Sequence, residues 1–292
     1  MKQLLVISGK GGTGKTTLVS SFASLADNKI VSDCDVDAAD LHLIMDPEIE
    51  TREEFSGAKE AVKDDDKCTN CGLCYEHCRF DAIDEDFEVD PFRCEGCGVC
   101  AYVCPEDAIH MEDVLSGYLL VSRTIYGSMV HGELRPGEET SGLLVTEVKE
   151  RAQELAEEEE KDLIIIDGSP GTGCPVIASL SNVDLALVVT EPTLSGLSDL
   201  KRVLELSEHF EIEPAIVINK YDLNREMVKR IETYAEGKDI PVLGKIPYDS
   251  KVTKAMIEGK SVVEYLDNDT TDQIENIWKR LYRKLYQSTT KN

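Results

Sequence analysis

Gly9-Lys10-Gly11-Gly12-Thr13-Gly14-Lys15-Thr16-Thr17 is a stretch suited to holding phosphate. Gly9, Gly14, Lys15 and Thr16 fill the fixed places of G-x-x-x-x-G-K-[ST]. Glycines at 11, 12 and 14 let successive N–H groups turn towards an anion, and a helix beginning at Lys15 would add its unpaired first-turn amides. In such a loop Lys15 reaches the β- and γ-phosphates of a nucleotide and the Thr16 hydroxyl ligates Mg²⁺, with Thr17 a further donor near the α-phosphate. Carboxylates that would complete this chemistry stand at Asp167, in the Walker-B position for Mg²⁺, and in Asp33-Cys34-Asp35, where Asp35 is the first choice for orienting water or assisting the metal. Asn219 and Asp222 are candidates for reading an adenine edge, and the segment around Pro247 for walling the base.

A second chemistry lies in the cysteines. Cys68, Cys71, Cys74 and Cys78 and then Cys94, Cys97, Cys100 and Cys104 each spell C-x₂-C-x₂-C-x₃-C, the bacterial ferredoxin spacing for two [4Fe–4S] clusters. Three thiolates of a run wrap one cube, and the fourth is exchanged between runs. This assigns Cys68, Cys71, Cys74 and Cys104 to one cluster and Cys94, Cys97, Cys100 and Cys78 to the other. Asp81-Ala82-Ile83 and Asp107-Ala108-Ile109 repeat within the same segment. Zinc sites use paired C-x₂-C motifs rather than interlocked runs of four. Pro105 follows the second run, but Arg79 follows the first, supplying a charge and an N–H where a proline would fix the exit angle. Cys34 and Cys174 fall outside both runs and are not assigned as ligands.

These groups need elements to position them. Aliphatic runs at 4–8, 163–166, 185–189, 215–219 and 242–245, with a further strand from residue 29, read as buried parallel strands. Helical patterns at 15–26, 141–159, 197–209, 224–236 and 251–259 alternate with them, and hairpin-like strands are expected at 117–124 and 128–134, with a turn at Pro136-Gly137. The fold expected is α/β: a mostly parallel P-loop NTPase sheet with helices on both faces. A small α+β ferredoxin-like two-cluster domain at 57–110 would interrupt it, leaving 1–56 and 111–292 as the nucleotide domain. Ile274, Ile277, Trp278, Leu281 and Leu285 form one helical stripe, read as packing against the sheet in preference to lying on a membrane surface.

Totals narrow the function. The 292 residues carry 31 Lys+Arg against 57 Asp+Glu, a formal charge of −26, the wrong sign for neutralising a nucleic-acid backbone. No apolar run is long enough for membrane insertion, and the amino terminus enters a strand directly, so a cytoplasmic protein is expected.

Lys10-Gly11-Gly12-Thr13-Gly14-Lys15-Thr16-Thr17, Asp33-Cys34-Asp35 and Asp167-Gly168-Ser169-Pro170-Gly171 together resemble the deviant Walker-A ATPases of the MinD and nitrogenase-iron-protein superfamily, in the branch carrying an inserted ferredoxin domain. That resemblance implies an ATP/ADP- and Mg²⁺-dependent ATPase working as a homodimer, or as a heterodimer with a paralogous ATPase. Lys10 would cross to the partner's phosphates, Asp35 would position water, and the loop from Asp167 to Gly171 would sense the γ-phosphate. Eight cluster ligands fused to that nucleotide switch point to a redox or metalloprotein partner. Two functions compete: an ATPase coupling nucleotide state to partner docking, electron transfer or metallocentre assembly, and an iron–sulfur scaffold or carrier whose ATPase activity is incidental. An amidase related to cobyrinic acid diamide synthase would need a glutaminase domain for which the chain has no length.

Overall fold

The computed structural model describes residues 1–136 and 141–287. Gly137, half of an expected turn, lies outside them. In chain order the first elements are β1 (Lys2–Ser8), α1 (Lys15–Leu25), β2 (Lys29–Cys34), α2 (His42–Met45), β3 (Glu48–Phe55) and β4 (Ala58–Lys63). There follow α3 (Leu73–His77), α4 (Val99–Val103), β5 (Ile109–Val114), β6 (Gly117–Thr124), β7 (Gly127–Leu134) and α5 (Ser141–Glu158). Next come β8 (Leu163–Pro170), α6 (Cys174–Leu180), β9 (Leu185–Thr190), α7 (Leu194–His209) and β10 (Pro214–Asn219). The chain closes with α8 (Arg225–Gly237), β11 (Val242–Ile246), α9 (Lys251–Ile257), α10 (Val262–Tyr265) and α11 (Asp269–Gln287).

Among the described residues, one sheet runs in the order β11-β10-β9-β1-β8-β2-β7-β6-β3. β1 pairs in parallel with both β8 and β9, β8 with β2, β2 with β7, and β10 with β9 and β11. The continuous aliphatics of β1 and β8 follow from this place: Leu4 and Val6 pack with Phe22 of α1 and Trp278 of α11, while Leu5 and Ile7, pointing the other way, are equally buried. The α11 stripe lies in that core, with Trp278 stacked on Phe22 at 5.2 Å between ring centroids. Each such side chain contributes roughly 1.5–3 kcal/mol, so core packing, not a membrane surface, accounts for the stripe.

β3 was not evident from the sequence. It reads Glu-Ile-Glu-Thr-Arg-Glu-Glu-Phe, is exposed except at Phe55, and lies at the end of the strand order. A charged edge strand resists pairing with foreign strands, and its composition conceals it from a hydrophobic pattern.

The chain divides into two compact units. The larger comprises Met1–Glu53, Leu119–Leu134 and the chain from Ser141; the smaller comprises Glu54–Tyr118 with Arg135. In the smaller unit β4 and β5 pair antiparallel, from Ala58 opposite Val114 to Lys63 opposite Ile109. The polar stretch that masks β4 in the sequence is thus a ladder whose Ala61 faces inward. The rest of this unit is an internal repeat. Cys68 and Cys94 donate their N–H groups to Asp64 and Asp90, and Glu76 and Tyr102 donate theirs to Gly72 and Gly98. Asp64 and Asp90 in turn donate to the carbonyls of Ala108 and Ala82, so each half is tied to the other.

Candidate functional site

β1 delivers the phosphate loop at the carboxyl edge of the sheet. Gly14 sits at φ 98°, the left-handed region, and no side chain caps α1. A β-carbon at Gly14 would lie 2.4 Å from Asn219 Nδ2, so the position admits only glycine without rearrangement. The first-turn amides of α1 are left facing the loop as anion donors. Lys15 is buried and its Nζ stands 3.5 Å from Asp35 Oδ2, while the buried Thr13 hydroxyl has no hydrogen-bond partner.

The acidic wall comes from β2 and β8. Asp33 and Asp167 are paired in register across these strands. Both are 1 % exposed, and Asp33 Oδ2 and both carboxylate oxygens of Asp167 lack hydrogen-bond partners. Burial first, and then like charge nearby, raises Asp33. Burial also raises Asp167, to about 6, with Lys15 pulling it down. Asp35 is raised by burial, again opposed by Lys15. Asp35 is the lysine partner, while Asp33, not singled out beforehand, shares the orphaned carboxylate site with Asp167. The signal was available in the spacing, since alternation along an extended segment places residues i and i+2 on one face.

Unpartnered buried carboxylate oxygens are hard ligands, and beside a phosphate loop they fit a divalent cation of the Mg²⁺ type. Among the described residues, no three His, Cys, Asp or Glu side chains converge on a single ion. Phosphate oxygens and the half-buried Thr16 hydroxyl are the expected remaining ligands. The loop after β8 is tied to both neighbours: Ser169 Oγ donates to the Cys34 carbonyl at 2.6 Å, and Gly171 N to the Ser8 carbonyl at 2.9 Å. Cys34 is fully buried, its thiol pushed up to about 12 by burial, whereas Cys174 is exposed.

A cavity of about 220 Å³ opens beside the loop, walled by Gly12, Gly14, Asn219, Pro247, Tyr248 and Met256. Asn219 Nδ2 donates to the Thr13 carbonyl at 2.7 Å, so this amide braces the loop. Asp222 does not line the cavity; its Oδ1 accepts from Tyr248 N at 2.7 Å and fixes the wall from behind.

Lys10 lies in an ion-pair cluster invisible to motif reading. Its Nζ is 2.5 Å from Glu191 Oε1 and 3.1 Å from Ser195 Oγ. Lys220 Nζ approaches the other Glu191 oxygen at 3.4 Å and donates to the Gly12 carbonyl at 3.0 Å. Burial opposes ionisation of Glu191, yet the two ammonium groups hold its carboxyl below the ordinary range.

In the smaller unit the cysteines line two cavities. Cys68, Cys71, Cys74 and Cys104 share one with Lys63 and Phe87; Cys94, Cys97, Cys100 and Cys78 share the other with Ala61 and Met111. None of the eight is in a disulfide. Four soft donors around each cavity match the ligand chemistry of an iron–sulfur cube. Gly72 and Gly98, both left-handed, start the short helices that carry the third cysteine of each run. In the first cavity Ala108 N donates to Cys104 Sγ at 3.3 Å.

Comparison with known proteins adds the family. The model of the CobQ/CobB/MinD/ParA nucleotide binding domain matches residues 4–262. An uncharacterized protein of Methanocaldococcus jannaschii is 36% identical over 286 residues, covering 97% of this chain and 96% of that protein. The iron-sulfur cluster carrier protein of Pyrococcus furiosus is 28% identical over 138 residues, 43% of this chain and 47% of the carrier. Among solved structures, the septum site-determining protein MinD of Pyrococcus horikoshii, complexed with Mg-ADP, aligns with a TM-score of 0.60 at 16% identity, covering 99% of each chain. That last likeness is one of fold.

Proposed function

This chain belongs to the CobQ/CobB/MinD/ParA nucleotide-binding family, and from that premise we propose that it is an Mg²⁺-dependent ATPase carrying two [4Fe–4S] clusters. Its nucleotide state governs how an inserted ferredoxin-like domain at 57–110 docks to a redox or metalloprotein partner. The observation that carries the reading is the partition of eight cysteines into two sets of four, each around its own cavity, in a chain with a phosphate loop.

Roles follow from the geometry. The α1 amides and Lys15 take the polyphosphate, and Lys15 must leave Asp35 to do so. Asp35, freed of its ammonium partner, then accepts a hydrogen bond from the attacking water. Asp167 and Thr16 hold Mg²⁺, with Asp33 behind them, and Asn219 and Pro247 bound the base. The Ser169 bond to Cys34 and the Gly171 bond to Ser8 couple the loop after β8 to both phosphate-facing strands, so a change at the γ-phosphate is felt there. Lys10 completes the site of a second subunit, in a homodimer or with a paralogous ATPase. When bound, Mg²⁺ would neutralise phosphate charge and the clusters would carry single electrons.

The test is anaerobic. Partner affinity and electron-transfer rate are compared with ADP and with a non-hydrolysable ATP analogue, alongside iron and sulfide content. Nucleotide-independent docking and transfer would refute the coupling. A second reading, a cluster scaffold or carrier with slow incidental hydrolysis, draws support from the partial match to iron-sulfur cluster carrier proteins. Stoichiometric cluster transfer without partner-stimulated turnover would favour it.

A further inference from the structure

We propose that Glu191 is a positioning residue that holds Lys10 on its own subunit until phosphate displaces it. The inference deepens the reading above and rests on it in one respect, the crossing of Lys10 to a partner's phosphates. Strand order is what creates the arrangement. β9 lies between β1 and β10, so the residue after β9 meets the loop after β1 on one side and the residue after β10 on the other. Glu191 consequently stands between two ammonium groups, with Lys10 at 2.5 Å and Lys220 at 3.4 Å.

Among the described residues, the carboxylate paired with Lys10 is Glu191, while Asp199, packed against Gly9, is paired with Arg202. Ser195 Oγ, 3.1 Å from Lys10 Nζ, is neutral and also bonded to Thr193, the N-cap of α7. The Glu191 backbone is held by Thr193, whose N–H donates to the Glu191 carbonyl at 2.8 Å. The carboxylate thus balances Lys10 and Lys220 as an anion of the protein's own. A polyphosphate is a stronger competitor for the same ammonium groups. Removing the Glu191 charge leaves two cations sharing a half-buried space; Lys220 keeps its bond to the Gly12 carbonyl, and Lys10 is the one released.

The experiment pairs E191Q, which keeps size and polarity, with K10A and the double variant. In nucleotide-free protein, modification of Lys10 by a small amine-reactive ester is followed by peptide mass spectrometry. ATP-dependent dimerisation is followed by light scattering. E191Q is expected to raise Lys10 modification and to tighten the ATP dimer by roughly five- to tenfold. In the K10A background it should leave the dimer constant unchanged. Unaltered Lys10 modification, or a dimer weakened by E191Q, would overturn the proposal. A wild-type chain that stays monomeric in ATP while E191Q raises Lys10 modification would instead overturn the crossing of Lys10 and leave its retention by Glu191 standing.

Discussion

Replacing Asp167 with asparagine should stabilise the nucleotide-free protein while removing its response to Mg²⁺. The carboxyl is 1 % exposed, its oxygens have no hydrogen-bond partners, and Asp33 faces it across the β2–β8 pair. Burial lifts its pKa from 3.8 to about 6. Between those values the folded chain holds a proton that the unfolded chain has released, so stability falls as pH rises through that window and stays low above it. A rise from 3.8 to about 6 corresponds to about 3 kcal/mol, the most that D167N can recover at pH 8. The gain should shrink as pH falls towards 4 and vanish only below 3.8, where Asp167 is protonated in both states. Urea titrations of both proteins from pH 4 to pH 8 measure this directly. A second arm adds ATP with and without Mg²⁺: the wild type should gain extra stability from the cation, and D167N should respond to ATP alone. Equal stability at pH 8, or an unchanged pH slope in D167N, would refute the description of Asp167 as a carboxylate whose burial outweighs the pull of Lys15.

Three further outcomes are expected. G14A should lose nucleotide binding, read with a fluorescent ATP analogue, and about 1–3 kcal/mol of stability, because of its φ and the Asn219 contact; G11A, where a β-carbon meets nothing within 4 Å, should leave the stability of the nucleotide-free protein nearly unchanged. C104S should halve the iron content from about eight to about four atoms per chain while perturbing the site of Cys68, Cys71 and Cys74, and C78S should do the reverse; spectra in which C104S disturbs its own run instead would refute the exchange. Lys149 Nζ donates to the carbonyls of Ser179 at 2.7 Å, Ala178 at 3.3 Å and Ser181, so K149M should cost about 1–3 kcal/mol at neutral pH. Burial lowers the Lys149 pKa from 10.5 to about 8; the unfolded chain binds the extra proton between those values, so wild-type stability from this group rises with pH across that window, and K149M should lack the rise in denaturant titrations.

The chemistry written in contiguous residues was legible without a structure. A phosphate loop is nine consecutive positions whose backbone does most of the binding, and the aliphatic runs of β1 and β8 announce strands covered on both faces. The cysteine runs likewise carry their spacing within a few residues, and their repeat offers the exchange of Cys78 and Cys104 as a rule. What the sequence left undetermined depends on which strands become neighbours. The division of labour between Asp33 and Asp35 required the register of β2 against β8. Glu191 and Lys220 meet Lys10 only because β9 separates β1 from β10, and no local pattern marks a glutamate as the counter-ion of a lysine so distant along the chain. Charged strands such as β3 and β4 were hidden for the complementary reason: their stability comes from pairing with partners elsewhere, not from an apolar periodicity of their own. Local backbone geometry is encoded locally, whereas ion pairing and strand order are decided when distant segments compete for the same space.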